Sequence, residues 1–198
     1  MEIRMANRRC ISPEDFWKWF EGRRGLFRVL PAILTMKSCM RQLDGFADKL
    51  AVEIQVVPGE KHRILIISAD GIRENIPVVQ QIVAAAPTMV EWQVVAFRPA
   101  IDADQLKIFG QNFQMDSMRM VTQWVDGKLD VWLFFGDEEM HRREEMIAPG
   151  FLALDHLIGE YLVMTKLEHV EFLPAARAPA NAGPIWALPQ ILDAGPPA

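Results

Sequence analysis

The pattern of apolar and polar residues at the start of the chain predicts two helices and then a strand. A helix begins at 12–15 (Ser-Pro-Glu-Asp), where a hydroxyl cap precedes a proline and two acidic residues. A longer amphipathic helix is predicted over residues 31–50, because apolar residues recur there at three- and four-residue steps: Ile33, Met36, Met40, Leu43, Phe46 and Leu50. Residues 52–56 alternate with period two, which predicts a half-buried strand.

The run Ile64–Ile67 is apolar throughout and too short for a helix, which is typical of a strand covered on both faces in the middle of a sheet. A helix is predicted from Asn75 to Pro87 and a further strand over 91–98. A strand, a helix and a strand within about 35 residues usually connect parallel neighbours, so we expect these two strands to pair. Asp126-Gly127 between two β-rich runs predicts a hairpin.

The last third of the chain predicts helices over 137–145 and 151–164 and a short strand over 170–173. From Pro174 onward alanine, proline and glycine dominate, a composition that buries little apolar surface. We therefore expect residues 174–198 to form a flexible tail. Its apolar patch is expected to dock on the domain or on another chain, and it consists of Trp186, Leu188, Ile191 and Leu192.

Together these elements predict one α+β domain over residues 1–173, followed by the tail. We expect a mixed β-sheet of five to six strands with two or three helices packed on it. The length of 198 residues suits one domain, and a composition of 51% hydrophobic and 24% charged residues is that of a globular protein.

Charge and cysteine content exclude several classes of protein. The net charge of −5 and the few basic clusters argue against nucleic acid as a partner. Two cysteines, Cys10 and Cys39, are too few for a disulfide scaffold or a zinc site. The sequence shows neither a signal peptide nor the roughly 18 uninterrupted apolar residues of a membrane span, so we predict a cytoplasmic protein without a membrane partner.

The segment 68–71 (Ser-Ala-Asp-Gly) lies at the carboxyl end of the predicted strand 62–69, where α/β proteins place ligands. There Asp70 can bind a hydroxyl group or a cation, and Ser68 can donate a hydrogen bond. Arg98 closes the neighbouring strand and can pair with Asp70 or Glu160, either as a structural clamp or as an anion-binding group. The alternative is a plain turn, in which Asp and Gly serve the backbone geometry, and we favour it.

His156 and Glu160 are four residues apart on the predicted helix 151–164, so both side chains leave the same face. Metal sites use this spacing, but only one histidine is present here. A solvated pair opposite the apolar arc is the favoured interpretation. No phosphate-binding loop or G-x-S-x-G nucleophile motif occurs, and we predict no metal and no cofactor.

Two stretches carry a resemblance to other proteins. The first is I-S-A-D-G at 67–71, with A-P at 86–87 and W-Q-V-V-A-F-R-P at 92–99; the second is L-D-H-L-I-G-E-Y at 154–161, with E-F-L-P at 171–174. Together they resemble a group of small bacterial proteins known as a domain of unknown function. The resemblance implies a bacterial cytoplasmic protein and brings no activity or catalytic residues with it.

Two functional hypotheses remain. The favoured one is a non-enzymatic binding or regulatory module, whose partner is another protein or a second copy of the chain. The alternative is a small-molecule-binding enzyme with a polar site built from the candidate residues Ser68, Asp70, Arg98, His156 and Glu160.

Overall fold

The computed structural model describes residues 12–47, 49–56, 59, 62–101, 105–108 and 111–197. The chain divides between Arg98 and Pro99 into two compact units, where the sequence predicted one domain. Each unit combines helices with a sheet, so the α+β class is confirmed. The prediction of one sheet with five to six strands is wrong, because the described strands form two mixed sheets, of three and four strands, and a separate two-stranded ribbon.

The helices of the first unit are α1 (Pro13–Glu21), α2 (Arg24–Val29), α3 (Ala32–Leu43) and α4 (Ile76–Ala84). The hydroxyl of Ser12 caps α1 as predicted, since its Oγ accepts the backbone N–H of Asp15 at 3.2 Å. The helix predicted over 31–50 ends at Leu43. Arg63 closes α2, because its guanidinium group donates to the carbonyl oxygens of Phe27 and Leu30.

The sheet of the first unit contains β1 (Ala51–Val56), β2 (Arg63–Ser68) and β3 (Trp92–Ala96) in the order β1-β2-β3. The central strand β2 is antiparallel to β1 and parallel to β3. Its side chains Leu65, Ile66 and Ile67 have no exposed surface. The predictions of a central strand and of a parallel neighbour reached through a helix are both confirmed. Full burial holds for Leu65, Ile66 and Ile67, whereas Ile64 is half-buried.

Aromatic side chains join the helices of the first unit to its sheet. Phe20 packs edge-on against Trp92 of β3 with ring centroids 5.2 Å apart. The indole N–H of Trp17 donates to the carbonyl oxygen of Ile82 at 2.6 Å, which ties α1 to α4. Trp17 is buried, so this bond satisfies the polar end of a large core side chain.

The strands of the second unit are β4 (Gln105–Ile108), β5 (Gln111–Gln114), β6 (Arg119–Val125), β7 (Lys128–Phe134), β8 (Leu167–Leu173) and β9 (Gly183–Pro184). The strands β4 and β5 form the ribbon, and the others form a sheet in the order β8-β7-β6-β9 with β7 and β8 parallel. The hairpin at Asp126-Gly127 is confirmed between β6 and β7. Both turn residues have positive φ, 48° and 79°, as a type I′ turn requires.

The helices of the second unit are α5 (Glu138–Arg142), α6 (Ile147–Ile158), α7 (Glu160–Lys166) and α8 (Leu188–Ala194). The single helix predicted over 151–164 is therefore two helices, separated by Gly159 at φ 82°. In the described part of the chain, no single helix is long and apolar enough to cross a membrane. The pair α6 and α7 reaches that length and hydropathy only together, across a bend of 102°.

The segment predicted as a tail is folded into the second unit over its described residues. Its strand β9 pairs with β6, and Arg177 forms a two-bond ion pair with Glu138 at 2.8 and 3.0 Å. Ile185 and Leu188 have no exposed surface and belong to the core of this unit. The composition of this segment predicts too little buried apolar surface for a stable fold. The segment is nevertheless ordered, because these two side chains pack into the core and β9 pairs with the edge of β6.

Gly150 in α6 tests the packing of the second unit. A Cβ atom at this position would lie 2.3 Å from the ring of Phe172, so Gly150→Ala must displace an aromatic side chain that packs against the core. We expect the variant to lose about 1–3 kcal/mol of unfolding free energy in urea titrations. Gly25→Ala in α2 is the control, because its Cβ meets nothing within 4 Å and we expect stability to be kept or raised. Equal stability of the two variants would contradict the packing described here.

Candidate functional site

The polar candidates of the first unit gather at the edge where β2 and β3 end. Because parallel strands end at the same edge of a sheet, Ser68 at the end of β2 and Arg98 just after β3 are neighbours. The chain turns sharply there, since Asp70, Gly71 and Phe97 all have positive φ, of 53°, 77° and 65°. The backbone N–H of Phe97 continues the pairing by donating to Ile67 at 2.8 Å.

Arg98 links two carboxylates at this edge. Its Nη2 donates to Oδ1 of Asp70 at 3.0 Å, and its Nε donates to Oε1 of Glu53 on β1. The Arg98 side chain is only 14% exposed, whereas the two acids are exposed to about a third and a half of their surface. One cation between two carboxylates leaves these three side chains negative in sum, so the cluster is poorly suited to bind an anion. The geometry is that of a structural clamp, one of the two roles expected for Arg98.

Ser68 stabilises the turn that carries Asp70. Its Oγ accepts the backbone N–H of Asp70 at 2.9 Å, a local bond that holds Asp70 in its left-handed conformation. Ser68 has no exposed surface, so its hydroxyl group is closed to a substrate from solvent. The favoured interpretation of 68–71 as a turn agrees with these contacts.

His156 and Glu160 belong to the second unit and lie on different helices, α6 and α7. The argument from four-residue spacing is therefore wrong, because Gly159 ends the first helix between them. The solvated-pair interpretation is also wrong for Glu160, which is only 1% exposed. The carbonyl oxygen of His156 accepts the backbone N–H of Ile101 at 2.8 Å.

The described part of the chain contains no cluster of metal-ligating side chains and one buried cysteine. Among the described residues, no group of three or more His, Cys, Asp or Glu side chains is placed to hold a metal ion. Cys39 is a free, fully buried thiol, and its burial raises its pKa to about 12. A reactive cysteine needs an accessible thiolate, which Cys39 lacks at neutral pH. Cys10 lies outside the described residues.

Glu53 is the member of the clamp that the sequence analysis missed. It lies on β1, opposite Ile66 of β2, so its side chain shares a face of the sheet with Ser68. The available signal was its polar place in the alternating run 52–56. That signal becomes useful only once β1 is known to lie beside β2.

The predicted interaction patch of the C-terminal segment packs on the core of its own unit. Leu188 has no exposed surface, and the other three members are half-buried against the same core: Trp186, Ile191 and Leu192. The indole N–H of Trp186 also donates to Oδ1 of Asp116 at 2.7 Å. The apolar patch is therefore packed against its own unit.

A different apolar surface is exposed on α2 and α3. We call it the α2–α3 surface, and it consists of Leu26, Val29, Ile33, Leu34 and Met40 with the exposed basic residues Arg24, Arg28, Lys37 and Arg41. Val29 is 77% exposed, Ile33 52% and Leu34 47%. The three- and four-residue spacing predicted Ile33 and Met40 on the apolar face of a helix, but Thr35, Cys39 and Gln42 are the residues that α3 buries beside Leu43.

No known protein-family model, curated protein or solved structure matches this chain. The resemblance to small bacterial proteins stays a prediction.

The clamp predicts a coupled effect on stability. Arg98→Met leaves Glu53 and Asp70 without their shared cation, and we expect a loss of about 1–2 kcal/mol in urea unfolding. In a Glu53→Gln, Asp70→Asn background the same change should cost much less, because no carboxylates remain to be neutralised. Asn tolerates the positive φ at position 70. An identical cost in both backgrounds would show that the ion pairs do not couple.

The buried thiol predicts protection from modification. In a Cys10→Ser variant, Cys39 should not react with a disulfide reagent in native buffer and should react fully in denaturant. Since the folded-state pKa lies above the ordinary value of 9.0, the stability contributed by Cys39 should be lost as pH rises from about 9 toward 12. A Cys10→Ser, Cys39→Ala variant, measured by thermal unfolding, should lack that part of the alkaline decline. Rapid native labelling would contradict the burial.

Proposed function

We propose that this chain is a non-enzymatic protein-interaction module that binds its partner through the α2–α3 surface. The observation that carries this proposal is the exposure of five large apolar side chains on two consecutive helices. Exposed apolar residues occur singly on most proteins, whereas contiguous apolar patches mark binding surfaces. Only two residues join α2 to α3, so the exposed Val29 and Ile33 are four positions apart in the sequence.

The helical geometry of α3 supports a continuous binding face. At 100° per residue, Ile33, Leu34 and Met40 lie with Lys37 and Arg41 within an arc of about 120°. The residues that α3 buries lie on the other side of the helix: Thr35, Cys39, Gln42 and Leu43. The apolar residues of the exposed arc therefore contribute little to the core of the unit.

Contacts on the buried side of α2 and α3 hold both helices in place. Phe27 of α2 is buried and contacts the ring of Phe20 at a centroid distance of 5.3 Å. Arg63 of β2 binds the C-terminal carbonyl groups of α2, and α3 packs against β1. A surface fixed in this way loses little conformational entropy on binding, which favours recognition of a partner.

The alternative, a small-molecule-binding enzyme, draws support from one observation. Two non-glycine residues of positive φ, Asp70 and Phe97, lie at the carboxyl edge of β2 and β3, and backbone strain often accumulates at active sites. The contacts of Ser68 and Arg98 explain this geometry as a clamped turn. His156 and Glu160 do not share a helix face, so their spacing does not support the alternative.

The proposal predicts that one partner depends on the α2–α3 surface. Ile33→Gln with Leu34→Gln should remove a protein that co-purifies with the full chain from extracts of its native cells. Such a protein is identified by mass spectrometry and then purified, and its affinity for both chains is measured by calorimetry. We expect a loss of roughly 10- to 100-fold, the usual effect of truncating two apolar contact residues.

The matched control is Val56→Gln with Val90→Gln, which changes two exposed apolar residues of the same unit outside this surface. This control should keep full affinity. If no protein shows this dependence, or if both double variants bind equally, the proposed function is wrong.

A further inference from the structure

We infer that the partner of the α2–α3 surface presents an acidic segment in which apolar side chains alternate with Asp or Glu, an inference that rests on the proposed function. Residues 22–43 contain five basic residues and no acidic one, and with the flanking Glu21 and Asp44 the segment still has more basic than acidic side chains, although the whole chain carries a net charge of −5. Four of these basic side chains are exposed: Arg24, Arg28, Lys37 and Arg41. Complementary charge on the partner speeds encounter and fixes its orientation.

A second copy of this chain does not fit the same surface face to face. A two-fold dimer brings the same patch of both subunits together, so the basic side chains of one subunit, such as Lys37 and Arg41, would approach those of the other. Like charges placed opposite one another across an interface oppose association. The positive charge of the surface therefore favours a different protein as the partner over a second copy of this chain.

A protein segment fits this surface better than an anionic membrane does. Helices that lie in a membrane separate a charged face from an apolar face. On α3, Lys37 lies at the centre of the exposed arc, between Ile33 and Leu34 on one turn and Met40 on the next. Immersing the apolar side chains in lipid would draw this ammonium group toward the hydrocarbon. A protein partner can place a carboxylate opposite it.

The spacing of the surface suggests what the partner must offer. On α3 the exposed apolar and basic residues follow three- and four-residue steps, as in Ile33, Lys37 and Arg41. A partner helix that lies along this face would need side chains at the same three- and four-residue spacing, with apolar residues next to acidic ones. An amphipathic acidic helix is the simplest segment with this chemistry.

The inference is tested with defined probes and the full chain. The first probe is a labelled helical peptide in which Leu and Glu alternate along one face, the second replaces Glu by Lys, and the third is a phosphatidylcholine–phosphatidylserine vesicle. Fluorescence anisotropy should show that the chain binds the acidic peptide and that binding weakens at high salt. Lys37→Glu with Arg41→Glu should weaken it at least about tenfold and should create binding of the basic peptide.

The matched control is Arg142→Glu with Lys166→Glu, which makes the same change in net charge at exposed residues of the second unit. It should leave the affinity for the acidic peptide unchanged. Equal binding of the acidic and basic peptides would overturn the inference, as would binding of vesicles without binding of the acidic peptide. If the partner identified through Ile33 and Leu34 is kept by the Lys37→Glu, Arg41→Glu variant, the acidic segment is wrong and the interaction function stands.

Discussion

The burial of β2 between β1 and β3 is the constraint from which the arrangement of the first unit follows. Complete burial of Leu65, Ile66 and Ile67 is worth roughly 1.5–3 kcal/mol for each side chain, which strongly favours this strand at the centre of the sheet. A parallel β3 must then end at the same edge as β2, which brings Arg98 to the turn at Asp70. The left-handed conformation of Asp70 costs about 1–2 kcal/mol, and the ion pair and the Ser68 bond offset it.

Local signals in the sequence predicted the elements that neighbouring residues determine. Ser12 caps its helix, Ile64–Ile67 is a central strand, and Asp126-Gly127 turns a hairpin, because each depends on a few adjacent side chains. The number of sheets depends on pairings far apart in the chain, as where β7 pairs with β8. The break at Gly159 was equally hard to foresee, since glycine accepts both helical and positive φ values.

The candidate sites show the same division between local and distant information. Ser68, Asp70 and Arg98 were placed together because strand ends can be located from the sequence, whereas Glu53 depended on the register of β1. Helical periodicity showed that Ile33 and Met40 share a face, but it could not show that this face points to solvent. Thr35 and Gln42 occupy the buried side of α3, so hydrophobicity alone assigns the wrong face to the core.

The short strand β9 has a consequence that its two residues do not suggest. It pairs with Arg119 and Met120 at the outer edge of the second sheet, while Ile185 and Leu188 behind it fill the core. Unpaired strand edges are templates on which other chains can add strands, and natural proteins cover or interrupt them. A chain shortened before Gly183 would combine an open edge with an uncovered core, the combination from which strand-to-strand aggregation begins.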